Sequence, residues 1–275
     1  MTPLTAGNAR VKEARKLSRR SVRTERRLFL ADGPKAVEGA LGVPDGVVEV
    51  FATAAAAEQY DALLTGVDVT LVDHRALASL SDAVNPAGVV AVCRFLDEPL
   101  ATVVEDRGGR EGRSGDRHET MPSNLVVICA DVRDPGNAGT IVRTADAVGA
   151  HGVVLAGDSV DAYNPKTVRA SVGSLFHVPF AVERDPAVAV RAAHDAGLSV
   201  LAADGGGEVD LFEADQLHAG PTAWLFGNEA WGLPSDLASL ADHRVRIPIL
   251  GRAESLNLAT AAAVCLYASA RAARR

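Results

Sequence analysis

Residues 124–156 read NLVVICADVRDPGNAGTIVRTADAVGAHGVVLA. Leu125–Ala130 is continuously apolar, the pattern of a strand covered on both faces. Asp134-Pro135-Gly136 breaks that run, and a stretch from about Ala138 to Val148 reads as a helix stopped by Gly149. Gly152–Ala156 then returns to an apolar strand. Strand, helix and strand in so short a segment specify a parallel crossover unit.

The alternation continues downstream. A Pro165-initiated helix and a helix Ala187–Ala196 stopped by Gly197 precede strands Ser199–Ala203, Ala223–Phe226 and Arg244–Ile247. A last helix near Leu256–Arg271 puts Leu258, Ala261, Ala262, Cys265 and Leu266 on one face. Residues 124–275 are therefore expected to form a mostly parallel, three-layer α/β domain. Upstream, Leu28–Ala31, Val47–Thr53, Val67–Val72 and Gly88–Phe95 read as strands separated by helical stretches such as Ala54–Leu64. They predict a smaller α/β domain over residues 28–96. Between the two, residues 97–123 read as a linker. GGREGRSGDRHET at 108–120 has four glycines, three arginines and no apolar residue, too little to offset its ordering entropy.

Composition narrows the class. The chain has 275 residues, 48% hydrophobic and 23% charged, values of a folded protein. Its three cysteines, Cys93, Cys129 and Cys265, are far apart and odd in number, neither a disulfide framework nor a zinc set, which suits a reducing cytoplasm. No metal site is expected. The N-terminal residues lack the apolar stretch of a signal peptide. The most apolar late segment, Leu258–Ala270, falls short of the roughly 20 residues of a membrane span. A cytoplasmic location is expected.

The overall charge of −7 conceals an asymmetry. Residues 1–27 hold Arg10, Lys12, Arg15, Lys16, Arg19, Arg20, Arg23, Arg26 and Arg27 against Glu13 and Glu25, so they carry +7 and the remainder −14. A basic arm of this kind fits either a polyanionic partner or a solvated helix face. For the former, Arg19, Arg20 and Arg26 are candidate RNA contacts.

Three loops carry the candidate chemistry, each after a strand, where open α/β sheets bind ligands. Asp134–Gly139 leads into a helix that Asn137 can cap, with Arg143 one turn in. Phe226–Pro234 sets an Asn228-Glu229 pair between Gly227 and Gly232. Ile247–Asn257 offers apolar walls from Ile247, Ile249 and Leu256, a possible cap at Ser255, and an amide at Asn257. No glycine-rich dinucleotide loop follows the first strand of the domain, which argues against a Rossmann-type methyltransferase. Gly205-Gly206-Gly207 reads as a mobile turn.

In order and spacing these loops resemble the three signature motifs of the SpoU-type RNA 2′-O-methyltransferases of the SPOUT superfamily. Asn137, Gly139, Arg143, Thr144 and Ala145 match the first motif. Gly227, Asn228, Glu229, Gly232 and Leu233 match the second. Ile247, Pro248, Gly251, Ser255, Leu256 and Asn257 match the third. FLADGPKAVEGAL, at residues 29–41, looks like that family's ribosomal-protein-like substrate-binding domain. After Asn257 the run Leu-Ala-Thr-Ala departs from the more usual Val-Ser.

The resemblance implies a trefoil knot near the C-terminus, although knots are nearly absent among folds. It also implies S-adenosylmethionine, bound by Ala203, Asp204, Leu225, Gly227, Ile247, Ile249 and Leu256. The implied reaction is 2′-O-methylation of RNA, ribosomal RNA first, with no metal. Transfer RNA, or a member that binds RNA without methylating it, stays open as an alternative. Arg143 is then central. Asn137 and Asn257 position the ribose, Glu229 orients Arg143, Ser255 hydrogen-bonds the site, and Arg169 holds the RNA backbone. A homodimer is implied through the last helix, by a face of Ala261, Ala262, Cys265 and Ser269, with one subunit's arginine beside the other's cofactor.

Overall fold

The computed structural model describes residues 2–105 and 124–274. It divides into two units: the chain up to Leu96 together with Asp161–Phe176, and the rest. The Gly/Arg stretch at 108–120 lies outside the described residues.

The first unit is a four-stranded sheet, β1 (Leu28–Asp32), β2 (Val47–Ala52), β3 (Val69–Leu71) and β4 (Val89–Arg94), in the order β1-β4-β2-β3. β4 runs antiparallel to β1 and β2, and β3 is parallel to β2. The expected helix Ala54–Leu64 is two short helices, Ala54–Gln59 and Asp61–Leu64, parted at Tyr60.

The basic N-terminal segment is not a separate arm. Its helix Ala9–Arg15 and the turn that follows bury Val11, Ala14 and Leu17 with Leu30, Phe51, Val72 and Val92. A domain boundary at residue 28 would cut through this core. Apolar spacing beneath the charges explains the difference: one helix face is basic and the opposite face packs.

Asp161–Phe176 also belongs to this unit, although it follows a strand of the other. Tyr163 stacks on Phe95 with centroids 3.7 Å apart, and Phe176 on Phe29 at 5.8 Å. Tyr163 Oη accepts from the Leu96 N–H at 2.6 Å. Arg23, only 3% exposed, donates to Asp161 Oδ2 at 2.6 Å and to the carbonyls of Leu17 and Ser18. Gly39 permits the close packing, because a Cβ there would sit 2.9 Å from the Gly173 carbonyl oxygen. The expected domain of residues 124–275 is thus interrupted by a segment whose aromatic and acidic groups find their partners in the first unit.

The second unit is a seven-stranded sheet: β5 (Leu125–Ala130), β6 (Gly152–Ala156), β7 (Phe180–Glu183), β8 (Ser199–Ala203), β9 (Val209–Asp210), β10 (Thr222–Phe226) and β11 (His243–Arg246). Its order is β7-β6-β5-β10-β8-β11-β9, with every pair parallel. The edge strands β7 and β9 are short and escape the sequence reading. One face of the sheet buries Val126, Ile128, Val154, Val200 and Leu225 against the helix Pro186–Asp195. The helix Leu258–Ala272 packs against the helix Pro135–Ala147 and against β10. Leu100–Val104 is a helix of this unit with Val103 and Val104 fully buried, so ordered structure replaces the start of the expected linker. No helix among the described residues is long and apolar enough to cross a membrane.

Candidate active site

The three motif loops leave the C-terminal ends of β5, β10 and β11; β10 lies between β5 and β8, and β11 on the far side of β8. In a parallel sheet all these ends face one way, so sequence-distant loops converge on one edge.

After β5 the chain turns through Asp131, at φ 56°, into the helix Pro135–Ala147. Asp134, rather than Asn137, is the N-cap. Its Oδ1 accepts from the Asn137 N–H at 2.8 Å, and Pro135 occupies the first helical position, where a missing N–H costs nothing. The Asn137 side chain is thereby left for other partners. Likewise Asn257, rather than Ser255, caps the last helix, its Oδ1 accepting from the Ala259 and Thr260 N–H groups.

Glu229 is the joint between the first two loops. Its carboxylate accepts from the Arg133 N–H at 3.2 Å, the Asp134 N–H at 3.0 Å and Asn137 Nδ2 at 3.2 Å. Partial burial pushes its pKa up. The N–H bonds from Asp134, its own residue and Arg133, with the Asn137 amide, outweigh that and hold it below the ordinary glutamate range. The expected Glu229–Arg143 pairing does not occur: those N–H donors take the carboxylate instead. The third loop joins through Asn257 Nδ2, which donates to Asn137 Oδ1 at 3.1 Å. Three motifs therefore meet in one hydrogen-bonded chain, Asn257–Asn137–Glu229. Each asparagine keeps an unused N–H, and Asn137 a further lone pair, for a substrate hydroxyl.

Two further residues of the second motif complete the joint. Asn228, 6% exposed, donates from Nδ2 to the Asp131 carbonyl at 2.7 Å and accepts from the Ala230 N–H. Gly227 lies so close to Gly232 that a Cβ would come within 2.4 Å of its carbonyl carbon. The Gly-Asn-Glu sequence was the available signal for both.

Arg143 and Ser255 are exposed, and their side chains make no hydrogen bond or ion pair among the described residues. Of the residues expected to hold the cofactor, Ala203, Asp204, Gly227 and Ile247 stand at or just beyond strand ends. Ile249 and Leu256 are more than one-third exposed in the third loop. Leu225 differs: its side chain is fully buried in the core with Val200 and Ile128, so it presents no side chain to a ligand. The Asp204 carboxylate closes a turn by accepting from the Gly206 N–H at 2.9 Å.

Of the expected RNA contacts, Arg19 and Arg20 are exposed, with side chains that have no partner among the described residues. Arg26 pairs with Glu13 at 2.7 Å, and Arg169 pairs with Asp82 in the first unit. Burial pushes the thiol of Cys129 up to about 12, with the Glu229 charge adding to the shift, and raises those of Cys93 and Cys265 as well. All three thiols are buried in the cores, the setting of structural rather than reactive cysteines. No cluster of metal-ligating side chains occurs among the described residues.

Residues 124–267 match the SpoU rRNA Methylase family, and residues 8–91 the MRM3-like substrate binding domain. The 23S rRNA (guanosine(2553)-2′-O)-methyltransferase RlmP of Bacillus subtilis (strain 168) is 32% identical over 263 residues, covering 96% of each chain. The AdoMet-bound rRNA methyltransferase from Sinorhizobium meliloti superposes with a TM-score of 0.80 at 33% identity, over 98% of this chain and 97% of that one. The SpoU methyltransferase AviRb from Streptomyces viridochromogenes, in complex with AdoMet, gives 0.79 at 32% identity over 96% and 97%. With its three motifs joined at one sheet edge and a relative matched along nearly its whole length, the chain belongs to the SpoU rRNA methylase family.

Proposed function

We propose that this chain is a cytoplasmic, S-adenosylmethionine-dependent 2′-O-methyltransferase acting on the ribose of 23S-type ribosomal RNA. The observation that carries the reading is the Asn257–Asn137–Glu229 chain, which fixes amide groups with spare valences at the mouth of the parallel sheet. The cofactor residues fit their group. Ile247, Ile249 and Leu256 offer apolar walls for a flat ring, and Gly227, at the end of β10, packs against the Gly232 backbone with no room for a side chain. Bound there, S-adenosylmethionine supplies a methyl group already activated by its sulfonium.

The chain's own residues must align the ribose 2′-oxygen and favour its alkoxide character. Asn137 and Asn257 orient the hydroxyl through their unused N–H groups, and Glu229 holds Asn137 in place. The Arg143 guanidinium offers a positive charge and planar N–H donors. Its role is therefore to stabilise developing oxyanion charge. Its exposure and lack of partners support placement beside the cofactor of a second subunit, in a homodimer. The proposed subunit contact uses Val264 and Tyr267 on the last helix with the neighbouring Phe212, because Ala262, Cys265 and Ser269 are buried within their own unit. The insertion of β10 between the earlier strands β5 and β8, with the last helix packed on Pro135–Ala147, supports the trefoil knot.

The test is transfer of tritiated methyl from S-adenosylmethionine to unmodified 23S rRNA transcript, followed by alkaline hydrolysis. Label in an alkali-resistant dinucleotide is expected. Label on a base, or on transfer RNA alone, would overturn the reading.

A further inference from the structure

Trp231 lies in the middle of the second motif loop and is 54% exposed, whereas Trp224, the chain's other tryptophan, is fully buried. In a chain with 4% aromatic residues, a large ring left in water calls for a reason. The backbone holds it outward: Asn228 and Gly232 exchange N–H···O bonds at 3.0 and 2.9 Å, and Gly232 takes φ +71°. The Trp231 indole N–H makes no hydrogen bond among the described residues, so the side chain is not spent on holding the fold together.

One face of the ring carries a cation. The Arg133 guanidinium lies 5.0 Å from its centroid, and Arg133 also reaches Asp158 at 3.8 Å. The Arg133 N–H is one of the donors on Glu229, so this stack is fastened to the carboxylate that holds Asn137. An open aromatic face beside a cation suits a polyanion with flat bases: the ring takes a base by stacking, and the guanidinium takes a neighbouring phosphate.

Resting on the proposed RNA methylation, we infer that Trp231, backed by Arg133, is a stacking platform for an unpaired nucleobase next to the methylated ribose. Trp231 sets affinity for the RNA and takes no part in the chemistry. Single-stranded RNA is the form that can present such a base.

The experiment uses the full chain, tritiated S-adenosylmethionine and 23S rRNA transcript, with a mixed-sequence 12-nucleotide single-stranded RNA as fluorescence probe. Trp231→Ala is expected to raise the KM for RNA about 5- to 100-fold, the range of one base–aromatic stack, while calorimetric affinity for S-adenosylmethionine stays unchanged. Trp231→Phe, which keeps a ring, should stay within about threefold of wild type. The short RNA should quench the exposed emission of wild type, and Trp231→Phe should abolish that quenching. An unchanged KM in Trp231→Ala overturns the inference while leaving methylation standing. Should that variant fail to fold, unaltered wild-type emission on adding RNA does the same. Shielding of Trp231 from iodide that grows with protein concentration, without RNA, would assign it to a subunit contact and also overturn it. Failure of wild type to methylate RNA overturns the underlying activity, and the platform with it.

Discussion

Asn257 Nδ2 donates to Asn137 Oδ1 at 3.1 Å, joining two loops that lie 120 residues apart in the chain. Asn257 also caps the last helix, so a single side chain fixes that helix to the first motif. Asn257→Ala should lower stability by about 1–2 kcal/mol through the lost cap. Measured by denaturant unfolding, the double-mutant cycle with Asn137→Ala should show a coupling of about 0.5–1.5 kcal/mol, the net worth of one hydrogen bond. Strict additivity would mean that the bond contributes nothing.

The same joint predicts a pH dependence. The folded-state pKa of Glu229 is depressed, so its stabilisation is complete above the ordinary glutamate value of about 4.3 and is lost as pH falls through the lower folded value. Glu229→Gln should flatten the acid limb of the unfolding curve below about pH 4.3 relative to wild type. Parallel curves would place the acid sensitivity elsewhere.

Arg143→Ala should lower kcat about 10²–10³-fold while calorimetric binding of S-adenosylmethionine stays nearly intact, as expected when one charge-stabilising donor is removed. Its exposure, without partners among the described residues, makes a folding defect an unsuitable explanation for lost activity. Activity within a few-fold of wild type would remove it from the chemistry.

The exposed cations of the N-terminal segment are separable from its core residues. Arg19→Glu with Arg20→Glu should weaken RNA binding and make its salt slope shallower, because fewer counterions are released. Deleting residues 1–27 is a different experiment: it removes Val11, Ala14 and Leu17 from the core, and the first unit should unfold. An unchanged salt slope in the double variant would reduce Arg19 and Arg20 to a solvated face.

Two substitutions on the last helix should behave oppositely. Ala262 is fully buried, so Ala262→Arg should abolish soluble folded protein. Tyr267, 55% exposed beside Phe212 and Val264, should yield a folded but monomeric and inactive protein as Tyr267→Arg. Sedimentation with circular dichroism separates the two outcomes, and an active monomer would sink the proposed shared site.

What the sequence determined by itself was local. Strands β5, β6 and β8 lie where their apolar runs end at Asp131, Gly157 and Asp204, because hydrophobic periodicity and turn chemistry are properties of neighbouring residues. The motif spacing likewise identified Asn137, Glu229 and Asn257 before any of them had a partner. Tertiary structure alone decided what those side chains do. Glu229 takes the Arg133 and Asp134 N–H groups in place of Arg143, since a parallel sheet brings those donors to it from the neighbouring strand end. Ser269 and Cys265 turn inward, Ser269 accepting from Trp224 Nε1 at 2.9 Å, because small-residue spacing on a helix does not say which neighbour approaches. Asp161–Phe176 joins the first unit because Phe29, Phe95 and Arg23, all more than 60 residues away in sequence, complete its aromatic and charged contacts. Partners so distant in sequence leave no periodicity to read; only the folded chain brings them together.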